Sequence, residues 1–111
     1  MTNRPTKCKA AFMHGPFDLR IEELELPPLK PNQVLIKMRA CGICQSDVEC
    51  FEGLSAEGRY DLGPYTPGHE WVGTAVEIGS DCTSVKVGDK VVGDCVLPCH
   101  QCANCKDGKM S

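Results

Sequence analysis

The chain has 111 residues and a formal net charge of -3 at pH 7, and 41% of its residues are hydrophobic while only 5% are aromatic. This length allows one domain with a modest core, which must be built without a large aromatic cluster. A mildly acidic chain without a stripe of Lys and Arg has no electrostatic footprint for nucleic acid or an anionic membrane surface, so we expect neither as a partner.

The nine cysteines and the start of the chain indicate a reducing compartment. No segment approaches the roughly 18 consecutive apolar residues that a membrane span requires, and the first residues lack the apolar run of a signal peptide. Cysteines in such a chain are typically reduced thiols or metal ligands, and an odd number of them could not all pair. We therefore expect a cytoplasmic protein with free or metal-bound cysteines.

The first part of the chain reads as three strands. Apolar runs at residues 7–13 and 17–26 flank a turn signal at residues 14–16, which predicts a β-hairpin. After several prolines, residues 33–41 alternate apolar and basic side chains in the manner of a half-buried strand.

A short helix and a long loop are predicted next. Ser46 is followed three positions later by Glu49, which fits a capping box for a helix over about residues 47–51. Residues 53–68 contain four Gly and two Pro, which is typical of a long surface loop. Long loops of this kind often carry function.

The chain then returns to strands before its composition changes. Residues 70–78 and 85–92 are predicted to add two strands, the second after a turn, so that residues 1–94 form a mainly β body. Residues 95–111 are rich in cysteine and lack apolar periodicity, and we predict a separate lobe without strand or helix.

The cysteines of this lobe point to a metal. Cys99, Cys102 and Cys105 follow a C-x2-C-x2-C pattern, and the segment offers almost no apolar partners among which free cysteines could be buried. Tetrahedral zinc needs four ligands, so Cys95, His100 or a residue beyond the chain would have to complete the site. Iron–sulfur clusters also use closely spaced cysteines, and spacing alone leaves that alternative open.

Four segments in this order resemble a known family: CGICQSD at residues 41–47, GHEWVG at 68–73, VGDKV at 87–91, and the cysteine lobe. The sequence resembles the N-terminal half of zinc-dependent medium-chain alcohol dehydrogenases, with the polyol (sorbitol) and threonine dehydrogenase branch as the best match. The resemblance implies a GroES-like, partly open β-barrel with a short helix, a catalytic zinc in its cleft and a structural zinc in the cysteine lobe. It also implies NAD or NADP as cofactor. The family binds that cofactor in a Rossmann domain, which is absent from this chain, so no cofactor-binding residue is assigned.

The resemblance also implies roles for individual residues. Cys44 and His69 match the catalytic-zinc ligands, and Glu70 stands where the family has an acid close to that zinc. A thiolate and a neutral imidazole can hold zinc and leave a position open for an alcohol oxygen. Ser46 matches the hydroxyl that begins a proton relay, and Asp47 matches the carboxylate that orients the histidine ligand. The first three structural-zinc ligands of the family correspond to Cys99, Cys102 and Cys105.

Each assignment has a structural alternative. Ser46 and Glu49 could form only a helix cap, and His69 alone could be a core histidine. If His69 and Glu70 both lie on a strand, their side chains point to opposite faces, which argues against a metal contact by Glu70. Glu49 occupies the position of a relay histidine in many family members, and its carboxylate could accept a proton there. The remaining cysteines are expected to be small core residues: Cys8, Cys41, Cys50, Cys82 and Cys95.

Taken together, these residues predict the N-terminal catalytic segment of a zinc-dependent, NAD(P)-linked dehydrogenase that oxidises a secondary alcohol or polyol. The segment alone is expected to be inactive, and the longer protein is expected to be a homo-oligomer. The alternative is a non-enzymatic zinc-binding β-barrel module. A co-chaperonin that shares only the barrel would need neither the Cys44 and His69 pair nor the cysteine lobe.

Overall fold

The structure is a computed structural model that describes residues 4–54 and 63–109. Strands dominate these residues, so the predicted mainly β class with a short helix is confirmed. The elements in chain order are β1 (Lys7–Gly15), β2 (Asp18–Glu25), β3 (Val34–Gly42), α1 (Gln45–Phe51), β4 (Glu70–Ile78), β5 (Lys90–Val92) and α2 (Ala103–Lys106). They form two antiparallel sheets, β1-β2 and β3-β4-β5, and this arrangement agrees with the predicted partly open β fold.

The predicted hairpin is present, and its turn is tied to the end of α1. Phe17 lies in the turn with a φ of 58°, a left-handed conformation that is uncommon for a bulky residue. Its N–H donates to the Phe51 carbonyl oxygen at 2.7 Å, and the two rings pack edge to face with centroids 5.2 Å apart. Met13 in β1 is 2% exposed and exchanges two backbone hydrogen bonds with Tyr65. These contacts hold the hairpin against the segment that carries α1 and the residues before β4.

The second sheet contains a glycine where two strands pair closely. Strands β3 and β4 pair from Val34 opposite Ile78 to Gly42 opposite Glu70. A Cβ at Gly73 would lie 2.4 Å from Ile36 Cγ2 and 2.7 Å from a backbone oxygen of β3, closer than real Cβ atoms approach. The close pairing of β3 with β4 therefore requires glycine at this position.

Helix α1 begins two residues before the predicted start, and its cap differs from the predicted one. Cys44 is the N-cap residue, and its N–H donates to Asp47 Oδ2 at 2.9 Å. The interpretation of Ser46 as the cap, with Glu49 as its partner, is therefore wrong. Asp47 reaches back from the third helical position to the Cys44 N–H, and Ser46 lies inside the helix.

Two further expectations need correction. The cysteine lobe contains the short helix α2, which is too short to show apolar periodicity. Of the cysteines expected in the core, Cys50 is buried and Cys82 is half-buried. The others are exposed, because burial depends on which strand face is covered and composition does not reveal this: Cys8, Cys41 and Cys95.

The predicted loop at residues 53–68 falls partly on residues 55–62, which lie outside the described residues. Near its end, Tyr65 forms the backbone bridge with Met13. Within residues 4–54 and 63–109, no helix has the length and apolar character needed to cross a bilayer.

Candidate metal centres

Three side chains with metal-binding atoms meet where β3 ends and β4 begins. The Cys44 thiol, the His69 ring and the Glu70 carboxylate each offer one atom, and these atoms lie within 4.8 Å of one another. Antiparallel pairing sets Glu70 opposite Gly42, and Cys44 follows two residues later as the N-cap of α1. The β3–β4 register therefore brings the two segments together.

The structural alternatives for His69 and Glu70 do not hold. The His69 side chain is 38% exposed, so it is not a buried core histidine. Alternation would turn Glu70 away from His69 only if both residues belonged to one strand. Strand β4 begins at Glu70, and His69 lies just outside it with irregular backbone, so the two side chains can converge.

The Asp47 carboxylate lies beside two members of this cluster, Cys44 and His69. Oδ2 accepts the Cys44 N–H at 2.9 Å, while Oδ1 lies 3.7 Å from His69 Nδ1. The Asp47 side chain is only 19% exposed, so its charge is less screened by water than a surface carboxylate would be. A carboxylate in this position can fix the orientation of the imidazole ring.

The other two predicted catalytic residues lie on α1. Ser46 is its second residue and Glu49 its fifth, and both are half-buried. Within the described residues, the groups of metal-binding atoms that lie within 4.8 Å of one another do not include Glu49. Their separation of three residues puts them on neighbouring positions of the helix surface.

An apolar cleft of about 360 Å³ adjoins the cluster. It extends from the hairpin to α1, and Asp47 is the charged residue of its lining. Among the apolar side chains that line it are Met13, Leu19, Ile43, Val48 and Phe51. The low polarity of these walls strengthens electrostatic interactions made by the Asp47 carboxylate.

A second cluster lies in the cysteine lobe. Cys99, Cys102 and Cys105 bring their sulfur atoms within 4.8 Å of one another, and Cys99 Sγ lies 3.7 Å from Cys105 Sγ. Neither Cys95 nor His100 belongs to this cluster, as far as the described residues show. A fourth ligand is therefore not supplied by either of the two residues considered for it.

Backbone N–H groups point at the sulfur atoms of the lobe. Cys102 N donates to Cys99 Sγ at 3.4 Å, and Cys105 N donates to Cys102 Sγ at 3.5 Å. Backbone hydrogen bonds from Gln101 and from Cys102 lower the pKa of the Cys99 thiol to about 7. His100 has a φ of 58°, which closes the tight turn that produces this arrangement. The turn therefore favours the thiolate of Cys99, the form that binds metal.

The donor sets suit zinc. Zinc is bound by thiolate, imidazole and carboxylate in tetrahedral sites, whereas magnesium and calcium prefer sets of oxygen atoms. The cluster at Cys44 combines one donor of each zinc-binding type, which differs from the all-cysteine ligation of ferredoxin-type iron–sulfur clusters. Both clusters therefore have the chemistry of zinc ligands.

Gly42 was not predicted from the sequence as a site residue. A Cβ at this position would lie 2.9 Å from Glu70 Oε2. The signal available in the sequence was only a glycine between two cysteines, whose partner across the sheet could not be known before the register.

The fold and the two clusters define a β domain built to hold zinc. Comparison with known families narrows this class. The family described as alcohol dehydrogenase GroES-like domain matches residues 30–111, and the chain belongs to this family. The predicted resemblance to zinc-dependent medium-chain alcohol dehydrogenases is confirmed.

Individual relatives agree with the polyol branch. The chain is 38% identical to the erythritol/L-threitol dehydrogenase of Mycolicibacterium smegmatis over 98% of this chain and 33% of that protein. It is 37% identical to the sorbitol dehydrogenase of Bacillus subtilis, over 95% of this chain and 30% of that protein. Among solved structures, it matches a protein described as a zinc-binding dehydrogenase from Sinorhizobium meliloti 1021, bound to NADP. That match has a TM-score of 0.78 and 28% identity, and it covers 96% of this chain and 30% of the other.

The chain thus spans about a third of the length of the curated relatives it matches.

Proposed function

We propose that this chain is the zinc-binding part of an NAD(P)-dependent dehydrogenase that oxidises a secondary alcohol or polyol. The observation that carries the proposal is the convergence of Cys44, His69 and Glu70, with Asp47 behind two of them, in a member of the alcohol dehydrogenase GroES-like family. In this proposal residues 1–94 form the catalytic body and residues 95–111 the structural lobe.

Two of the three proposed ligands of the catalytic zinc have a supporting contact from Asp47. Cys44, His69 and Glu70 would hold the ion, and Asp47 would fix the first two by accepting the Cys44 N–H and lying beside His69 Nδ1. When bound, zinc lowers the pKa of a hydroxyl group as a Lewis acid, and the nicotinamide accepts hydride.

The chain's own residues would manage the proton. The Ser46 hydroxyl can both accept and donate a hydrogen bond, so it can take the proton of a bound alcohol and pass it on. Glu49 lies three residues further along the same helix, where its carboxylate can accept that proton. This path would lead from the cluster along the surface of α1.

The cysteine lobe has a different part in the proposal. Cys99, Cys102 and Cys105 would hold a structural zinc, together with a fourth ligand that is not among the described residues near them. Structural zinc contributes directly to folding where few apolar contacts are available. The homo-oligomeric state implied by the family resemblance belongs to the same proposal.

The test of activity uses the complete natural gene product. It is assayed for zinc-dependent reduction of NAD and of NADP across a panel of polyols and amino alcohols. The proposal predicts turnover of at least one secondary alcohol, with loss of turnover in a Cys44→Ser variant. A protein that binds zinc at Cys44 and turns over no alcohol would instead favour a non-enzymatic zinc module.

Asp47 provides a test of the site that does not depend on turnover. Asp47→Ala removes both contacts and is expected to weaken zinc binding at the Cys44 cluster by about 10- to 100-fold. Asp47→Asn keeps an oxygen for the Cys44 N–H but loses the charge near His69. Its zinc affinity should therefore lie between those of Asp47→Ala and the unmodified chain. Competition with a chromophoric chelator measures the zinc affinity of the unmodified chain and of both variants. Equal affinities for Asp47→Ala and the unmodified chain would remove Asp47 from the proposed site.

A further inference from the structure

Glu70 and Gly42 are direct partners across the sheet. Gly42 is the last residue of β3 and Glu70 the first residue of β4, and the two pair in the antiparallel register. The Glu70 side chain folds over the glycine. A Cβ added to Gly42 would lie 2.9 Å from Glu70 Oε2 and 3.4 Å from Glu70 Cβ. The space that a side chain at position 42 would need is therefore occupied by the Glu70 carboxylate.

We propose that Gly42 is a positioning residue for the Glu70 carboxylate. Because Gly42 has no side chain, the carboxylate can turn back over the end of the sheet, where it meets the atoms of Cys44 and His69. This inference rests on the proposed function, since it concerns the metal held by the same cluster. Gly42 acts on the metal only through Glu70.

Two other close-packed glycines, one in β4 and one directly after it, show why the effect at Gly42 is local. A Cβ at Gly73 would meet the Lys37 backbone oxygen at 2.7 Å, and a Cβ at Gly79 would meet the Pro31 backbone oxygen at 2.2 Å. Backbone atoms cannot move without distorting the sheet. At Gly42 the closest atom is instead the mobile end of a side chain, which can swing away.

The backbone at Gly42 also accepts a side chain. Gly42 is not among the glycines with positive φ, so alanine can adopt its conformation without strain. A Gly42→Ala substitution should therefore leave the β3–β4 pairing intact and displace the Glu70 carboxylate from the cluster. The expected consequence is weaker metal binding in a chain whose fold is unchanged.

The experiment measures zinc affinity by competition with a chromophoric chelator, in a Cys102→Ser background that removes the lobe cluster. Gly42→Ala is expected to bind zinc about 10-fold more weakly. Gly15→Ala is the matched control, because Gly15 also ends a strand, lacks positive φ and has no atom within 4 Å of its added Cβ. The control should bind zinc as the parent does. Circular dichroism melts of the metal-free proteins show whether the fold has changed.

A double-mutant cycle separates positioning from a structural effect. In a Glu70→Ala background there is no carboxylate to displace, so Gly42→Ala should have no further effect on zinc affinity. An equal loss in that background, a loss of folded structure, or an affinity like that of Gly15→Ala would each overturn the proposal for Gly42. Absence of zinc binding by the Cys102→Ser parent would instead contradict the proposed function itself.

Discussion

The two candidate metal-binding clusters of this domain are built in opposite ways. Cys44 is the N-cap of α1 and His69 directly precedes β4, and the pairing of β3 with β4 brings these distant positions together. Cys99, Cys102 and Cys105 follow one another within a turn and the short helix α2. The first cluster is a product of the tertiary fold, whereas the second is a product of local chain geometry.

This difference determines what each cluster needs in order to persist. The sheet beneath the Cys44 cluster has its own core, with Ala75 fully buried and Gly73 packed against β3. Helix α2 has no buried residue, so the lobe is held by local hydrogen bonds, backbone to backbone and N–H to sulfur, without apolar packing of this helix. We propose that the sheet preorganises the Cys44 cluster and that metal binding stabilises the local geometry of the lobe.

Metal removal should produce the largest contrast between the two regions. In chelator-treated protein, the amides of Cys102 and Cys105 are expected to exchange with solvent without protection, because the sulfur atoms that accept from them are no longer held by metal. The fully buried Ala75 of β4 donates its amide to the oxygen of Asp89, the residue before β5, and this amide should stay protected. Hydrogen exchange followed by NMR reports both. Equal loss of protection at Ala75 and Cys102 would contradict the proposed difference between a sheet that is stable without metal and a lobe that needs it.

Distortion of the sheet should affect the regions in the reverse order. In Gly73→Ala, the new Cβ would meet both Ile36 Cγ2 and the Lys37 oxygen, and overpacking of this kind costs about 1–3 kcal/mol. Urea unfolding should show this loss, and zinc affinity at the Cys44 cluster should fall while zinc in the lobe is retained. Gly15→Ala again serves as the control. Parallel loss of zinc from both clusters would mean that the lobe depends on the sheet after all.

The smallest effect is expected at a surface pair outside both clusters. Two hydrogen bonds from Arg20 lower the pKa of Asp18. A lowered pKa means that the folded state favours the ionised carboxylate, so this stabilisation is present above the unfolded pKa and disappears as pH falls through the folded pKa. Asp18→Asn should therefore melt slightly earlier than the parent at pH 7, and the difference should be smaller at about pH 2.5, below the ordinary aspartate pKa of about 3.9. Thermal melts at both pH values test this, and a change in zinc content at pH 7 would contradict the independence of the pair.

The sequence was most informative where structure is local. The spacing of Cys99, Cys102 and Cys105 was sufficient to predict their convergence, and the alternating pattern was sufficient to predict the β3 and β4 strands. The predicted helix cap was wrong because two pairs have the spacing of a capping box, Ser46 with Glu49 and Cys44 with Asp47. Only the structure shows that Asp47 accepts the Cys44 N–H.

Features that depend on register or on the covered face of a strand were not predictable in the same way. The direction of Glu70 depends on β4 beginning at that residue, and the relation of Gly42 to Glu70 depends on their pairing. The exposure of Cys8 and Cys41 depends on which strand faces are covered. The pairing of Cys44 with His69 was expected only from the family resemblance, since their separation in sequence carries no geometric signal.

The most direct test of this account is native mass spectrometry of the purified 111-residue chain beside its Cys44→Ser and Cys102→Ser variants. Two separate clusters predict two zinc ions in the unmodified chain and one in each variant. Absence of metal from the unmodified chain, iron in place of zinc, or loss of both ions from a single variant would contradict two independent zinc sites.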